Sequence, residues 1–196
     1  MLIIGLIVLA AGASTRMGTP KQLLLFQGRS LLRSVAEAAI ASRCDPIVVV
    51  LGSQADRIKL EVHTLDLHIV VNQEWAKGMG TSIAAGMTAL TAISQDLDAV
   101  VIALSDQPFV CSDLLNQLVQ LYQATQSPIV ASAYTNILGV PALFDRSCFT
   151  ELMTIDMDVG AKDLIKRHPE KVAQISFPKG AIDVDTPAQY QQLCSH

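Results

Sequence analysis

At 196 residues, 51% of them hydrophobic and only 16% charged, the chain has the length for one well-buried core and too little charge to be disordered. Its 14 basic and 18 acidic residues leave a net charge of −4, which excludes the basic surface that general nucleic-acid binding requires. The longest uncharged apolar run, residues 1–13, is too short for a bilayer span of roughly 20 residues, and no Lys or Arg precedes it as in a secretory leader. Short apolar runs recur at 3–10, Ile47–Leu51, His68–Val71, Ala99–Leu104 and 129–133. Apolar on both faces, they read as strands of a mostly parallel sheet covered by helices.

Helical patterns lie between them. Ser30 is placed to cap a helix with Leu31, Leu32, Val35, Ala39 and Ile40 on one side, and residues 80–93 repeat Ile83, Met87 and Leu90 at three- and four-residue spacings. Ser112 or Asp113 starts a third helix with Leu114, Leu115, Leu118, Val119 and Tyr122. Beyond residue 132 the pattern loosens. Segments 134–136 and 139–144 read as two strands around a turn, with Pro141 at an edge or a bulge. Short helices are expected at 149–152 and Ala161–Arg167, a strand at 172–177, and a terminal helix at 187–193 with Pro187 in its first turn. The alternation predicts an α/β fold with right-handed crossovers, in a single domain over 1–196. Ligands are then expected beyond the carboxyl ends of the strands. Cys44, Cys111, Cys148 and Cys194 form no C-x-x-C pair, which fits reduced thiols in a cytoplasmic protein rather than zinc or disulfides.

Four loops carry chemistry. The first, LAAGASTRMGTPKQLL from Leu9 to Leu24, follows a strand and holds Gly12, Ser14, Gly18, Arg16 and Lys21. Up to Ala36 the only charges are Arg16, Lys21, Arg29 and Arg33, a local positive excess in a net negative chain. Small residues and cations after a strand are how N–H groups and positive charge converge on a phosphate. The loop lacks both G-x-x-x-x-G-K-[ST] and G-x-G-x-x-G, so it is neither a P-loop nor a dinucleotide fingerprint. In LSDQPF, Asp106 follows a strand and either caps the next turn or holds Mg²⁺ beside a phosphate. In DVDTPAQY, one of Asp183 and Asp185 is expected to face a site and the other to face away, while Asp185 or Thr186 caps the helix begun by Pro187. In EWAKGMGTSIAAGM, Gly78, Gly80 and Ser82 open a helix suited to an anion or a base edge, with Lys77 a phosphate contact or a solvated lysine. The isolated histidines receive no catalytic role.

Together these loops resemble the L-A-[AG]-G-x-S-x-R-M-G-x-x-K signature of nucleotidyltransferases with a MobA-like fold. The resemblance continues through NQEWAKGMGTSIAAGM, LSDQPF, GVPALF, DVGAK and DVDTPAQY, in the family's order. The molybdenum cofactor cytidylyltransferases are the subgroup it resembles most. The resemblance implies a three-layer α/β/α Rossmann-like domain, with a nucleotide half over about 1–110 and an acceptor half over about 111–196. It implies Mg²⁺-dependent attack of an acceptor phosphate on the α-phosphorus of CTP, transferring CMP to Mo-molybdopterin with release of pyrophosphate. Carried over, Leu9, Ala10, Ala11 and Gly12 hold base and ribose, Arg16 and Lys21 the phosphates, and Gly80 and Ser82 help read the nucleotide. Asp106 is the implied main metal ligand and Asp185 the second, with Asp183 left open.

Base choice also follows from resemblance: LAAG and DVDTP favour CTP, and the Ala11 methyl offers a steric reason against a purine. Two positions depart from the family. Lys162 stands where many relatives have Arg, which keeps the charge but loses the bidentate fork. Val140 stands where many have His, which removes a polar contact. Both lie in the acceptor half, where Lys77 and Lys162 are the candidate phosphate contacts. Transfer to another phosphorylated acceptor such as a sugar phosphate or methylerythritol phosphate, GMP transfer to molybdopterin, and a nucleotide-holding chaperone remain open, as does delivery to a molybdoenzyme or its chaperone. An NAD(P)-dependent oxidoreductase rests on the α/β pattern alone and lacks the fingerprint.

Overall fold

The computed structural model describes residues 2–194. In chain order it comprises β1 (Ile4–Ala10), a short pair β2 (Leu25–Phe26) and β3 (Arg29–Ser30), α1 (Leu31–Ile40), β4 (Ile47–Leu51), α2 (Ala55–Lys59) and β5 (His68–Val71). There follow α3 (Met79–Ile93), β6 (Ala99–Leu104), α4 (Ser112–Thr125), β7 (Ile129–Tyr134), β8 (Ile137–Asp145), α5 (Phe149–Met153), α6 (Ala161–Arg167), β9 (Val172–Ser176) and α7 (Pro187–Cys194). Among the described residues seven strands form one sheet in the order β5-β4-β1-β6-β8-β7-β9. Neighbours run parallel except that β8 opposes both β6 and β7.

The uniform hydrophobicity of the strands follows from this layering. Successive side chains of a strand point to opposite faces. Leu6, Val8 and Ala10 of β1 therefore enter one core with α1 and α4, while Ile7 and Leu9 enter a second with α3, α5 and α6. All seven residues of β1 are buried. A third cluster, Leu31, Val184 and Leu193 with Met17, Leu24 and Tyr190 packed on it, ties the first loop to the C-terminal segment. Among the described residues no helix is long and apolar enough to cross a membrane.

Two expectations for the looser half are corrected. Residues 134–136 are not a strand of their own. β7 runs through Tyr134 and reverses at Thr135 and Asn136, whose φ of 48° and 61° are the positive pair that a two-residue hairpin turn requires. Pro141 is not on an edge, because β8 is flanked by β6 and β7. The bulge alternative holds: pairing slips between Ala131 and Ser132, leaving Val140 and Pro141 outside the register. The Ser132 hydroxyl donates to the Pro141 carbonyl there at 2.6 Å. The β2–β3 pair and α2 were not foreseen, since elements of two and five residues are too short for periodicity to register.

Ser30 caps α1 as expected, its hydroxyl accepting from the Arg33 amide at 3.2 Å. Ser112 is the first residue of α4, which has no side-chain cap. Ser30→Ala is expected to cost about 1 kcal/mol of unfolding free energy, and Ser112→Ala less than about 0.5 kcal/mol, by urea titration.

Candidate active site

Two adjacent parallel strands decide where the site lies. Leu9 of β1 stands opposite Leu104 of β6, and the Ser105 amide donates to the Leu9 carbonyl at 3.1 Å. The small-residue loop after β1 and Asp106 after β6 therefore leave the sheet side by side, at the strands' carboxyl ends.

Gln22 braces the first loop. Buried, its amide donates to the carbonyls of Ala10 and Gly12, each at 2.9 Å, and its oxygen accepts from the Ser14 hydroxyl at 3.3 Å. The Ala11 carbonyl accepts from the Ser53 amide at 3.0 Å. With these carbonyls engaged, the loop has N–H groups to offer an anion. A Cβ added at Gly12 would meet nothing within 4 Å. No neighbour requires that glycine, and its bareness keeps the space beside the loop open.

Lys21 is the hub. Its ammonium donates to Asp106 Oδ2 and, at 2.9 Å, to Asp185 Oδ1. Arg16 donates to Asp185 Oδ2 at 2.7 Å. The Lys21 and Asp106 side chains are only 17% and 12% exposed against 69% for Arg16, so the Lys21 pairs are the ones shielded enough to matter energetically. Burial opposes the Lys21 charge, but Asp106 and Asp185 outweigh it and hold its pKa above the usual lysine value. Burial likewise opposes the Asp185 charge, yet Lys21 and Arg16 hold its carboxyl below the usual range. Asp183 moves the other way, raised by burial and by the like charges of Asp185 and Asp106.

The expected division of Asp183 from Asp185 is thus corrected. Side chains two apart in an extended segment share a face, and the residue between them takes the opposite one. Val184 is that residue, fully buried against Leu31 and Leu193, and its amide donates to the Asp106 carbonyl at 3.3 Å. Both carboxylates are consequently turned to the Asp106 side. Thr186, not Asp185, caps α7, accepting from the Gln189 amide at 3.3 Å.

Across the loop, Asn72 Nδ2 donates to Ser82 Oγ at 2.9 Å at the start of α3. This uses an acceptor site of the hydroxyl and leaves its proton to give.

Two pockets open among these groups. The smaller, about 240 Å³, is lined by Leu9, Ala10, Ala11, Gly12, Lys21, Gln22, Trp75, Gly78, Met79, Ser82, Leu104, Ser105 and Asp106. The larger, about 440 Å³, includes Gln107, Tyr134, Val140, Lys162 and Asp183. Leu9, Met79 and Leu104 line both, so the pockets share a wall.

Most residues nominated from sequence come together. Arg16 and Asp185 join through their ion pairs, and Lys162 borders the larger pocket. Two nominated residues do not come in. Lys77 is paired with Glu74 on the surface and lines neither pocket. Gly80 also lines neither, its amide donating to the Met157 carbonyl at 2.9 Å. Gln22, Trp75, Met79, Gln107 and Tyr134 were missed. Only Gln22 carries a signal, as an amide placed between Lys21 and the apolar run 23–26.

The residues present fit a divalent cation. Asp106 Oδ1 is buried without a hydrogen-bond partner, a costly state for a carboxylate oxygen unless a cation takes it up. Hard carboxylate oxygens suit Mg²⁺ or Mn²⁺, and Mg²⁺ commonly uses one or two carboxylates together with substrate phosphates. Among the described residues no group of three or more His, Cys, Asp or Glu is gathered for a metal. Phosphates and water would complete the shell.

A pocket at the ends of parallel strands, with a small-residue loop, a half-buried lysine, Asp106 at a strand end and Asp185 beside it, defines a nucleotidyltransferase of α/β fold. Residues 6–172 match the MobA-like NTP transferase domain, and the chain belongs to that family. It is 30% identical to nicotine blue oxidoreductase of Paenarthrobacter nicotinovorans, over 95% of this chain and 94% of that protein. It is also 30% identical to the purine catabolism protein PucB of Bacillus subtilis, over 95% and 94%. Among solved structures, Rv0371c of Mycobacterium tuberculosis superposes with a TM-score of 0.84 at 27% identity, covering 100% of this chain and 98% of that one. The same protein in complex with manganese gives a TM-score of 0.80 at 26% identity, covering 98% of each. Nucleotidyltransferases of this type use divalent metals.

The charge arrangement fixes a pH signature. Asp185, with its lowered pKa, contributes stability that is present above about pH 4 and lost as pH falls through the folded value. Lys21, with its raised pKa, contributes stability that is present below about pH 10 and lost as pH rises further. Lys21→Met removes the cation from among these carboxylates, so that the like-charge repulsion already felt by Asp183 is less offset and favours proton uptake by the folded state. It is expected to lower stability at pH 7 by about 2 kcal/mol, less than the roughly 3–5 kcal/mol of a fully buried pair. Its melting temperature should rise as pH falls from about 7 to about 5, while that of the unmodified protein stays nearly flat.

Proposed function

We propose that the protein is a Mg²⁺-dependent cytidylyltransferase that moves CMP from CTP to the terminal phosphate of Mo-molybdopterin, giving molybdopterin cytosine dinucleotide and pyrophosphate. The observation that carries this reading is the pair of contiguous pockets with the Lys21, Asp106 and Asp185 cluster at their junction. Transfer between two bound phosphates needs a site for each and a charged centre between them. The nucleotide side is assigned to the smaller pocket and the acceptor side to the larger.

Leu9, Ala10, Ala11 and Gly12 receive base and ribose, with Trp75 as an aromatic wall and the Ser82 hydroxyl as a donor. The preference for CTP rests on the LAAG and DVDTP resemblance. Lys21 and Arg16 neutralise the triphosphate, holding the α-phosphorus where an acceptor oxygen from the larger pocket reaches it in line. Asp106 and Asp185 would hold the metal. A metal held there would supply charge neutralisation for the transferring phosphate and the departing pyrophosphate. Lys162 meets the acceptor phosphate as a point charge. The larger pocket's apolar lining, Ile102, Leu104, Ile137 and Val140, suits a ring system more than a bare sugar.

Purified protein with CTP, Mg²⁺ and Mo-molybdopterin is expected to release pyrophosphate faster than with GTP, ATP or UTP. Release only with a sugar phosphate or methylerythritol phosphate would reassign the acceptor, and release with none would sink the transfer reading. Asp106→Ala should lower turnover on the order of a thousand-fold while the far-UV spectrum is retained. Full turnover in that variant would favour a holding protein. To the α/β pattern behind the oxidoreductase reading the comparisons add the name of a relative, and a change in nicotinamide absorbance with candidate substrates would revive it.

A further inference from the structure

Gly80 lines neither pocket, yet it is held on both sides. The segment Gly78, Met79 and Gly80 lies between the nucleotide side and residues 155–162, which lead into α6. The Gly80 amide donates to the Met157 carbonyl at 2.9 Å. A Cβ on Gly80 would collide with the Asp156 carbonyl oxygen and stand 3.1 Å from that of Met157. Gly78, at φ +129°, is pressed against the same loop, where an added Cβ would fall 2.7 Å from the Met157 carbonyl carbon. Met79 closes the third side: its Sδ lies 3.2 Å from where a Cβ of Gly160 would be.

The loop so gripped is the acceptor side's own wall. Gly160, Ala161 and Lys162 line the larger pocket, and the Gly160 amide is capped by Asp163 Oδ2 at 3.2 Å at the start of α6. Gly78 and Met79 line the smaller pocket, so the grip runs from one to the other without a gap. Backbone pressed on backbone leaves no side-chain slack, and close-packed interiors transmit such displacements.

We propose that Gly78, Met79 and Gly80 form a clasp through which bound nucleotide sets residues 155–162, so that Gly80 is a positioning residue for acceptor binding. This rests on the assignment of the two pockets to nucleotide and acceptor. A nucleotide seated against Gly78 and Met79 fixes the rim that carries Lys162, and the acceptor meets a finished wall only afterwards.

Two measurements test this. Backbone amide exchange of the full chain, with and without CTP and Mg²⁺, should slow over residues 156–162 when nucleotide binds, although none of these residues lines the nucleotide pocket. Unchanged exchange there, with nucleotide shown to be bound, overturns the clasp while leaving the transferase reading intact. A chain that binds no nucleoside triphosphate overturns the transferase reading and the clasp with it. Gly80→Ala should raise the acceptor KM on the order of tenfold or more, with the CTP dissociation constant kept within about twofold, since small misplacements at a reacting pair are costly. Lost CTP affinity with an unchanged acceptor KM would instead return Gly80 to the nucleotide side. If that variant does not fold, the exchange experiment on the unmodified chain decides.

Discussion

One half-buried ammonium holds the first and last loops of the fold to the middle of the sheet. Lys21 reaches Asp106, 85 residues away, and Asp185, 164 residues away. Three loops that share no strand are thereby pinned at one point. Like charges gathered at a partly buried site repel unless a cation lies among them. The carboxylates at 106, 183 and 185 thus depend on the lysine, and Asp106 and Asp185 in turn support its charge. Chemistry and architecture meet in that exchange, because the groups that make the site attractive to a metal are the same groups that close the fold.

The exchange works only because apolar packing has already delivered its members. The β1–β6 register sets the first loop beside Asp106, and Val184, buried against Leu31 and Leu193, turns both flanking carboxylates the same way. Gln22 shapes the loop from beneath without touching charge. Each of these contacts is silent chemically and decides where a reactive group stands.

Much of this was legible in the residue order, for identifiable reasons. Strands buried on both faces announce themselves as unbroken apolar runs, and Asp106 stands two residues past the end of one such run. Arg16, Lys21, Asp106 and Asp185 carry the charges that their chemistry needs. What escaped reading depended on pairing across the chain. The β7–β8 hairpin hides its turn in Thr135 and Asn136, which are not the usual glycine-bearing pair. Tyr134 and Gln107 reach a common pocket only because β8 folds back against β6. Of the two readings of Lys77, phosphate contact or solvated lysine, the second holds, with Glu74 three residues before it as its partner. A glycine at a helix start invites an anion and so reads as a nucleotide contact, whereas the bareness of Gly80 is taken up by the Asp156 carbonyl.

The wall shared by the two pockets has a consequence for what happens once a bond has formed across it. Leu9, Met79 and Leu104 face both sides, so on the proposed reading the dinucleotide product is one molecule lying in two sites. Its halves are tethered, and when one lets go the other keeps it at high local concentration, which makes complete escape slower than for either substrate alone. Pyrophosphate, anchored on one side only, has no such retention. A transferase built this way ends each cycle as the carrier of its own product, and a receiving protein that competes for one half at a time would empty it.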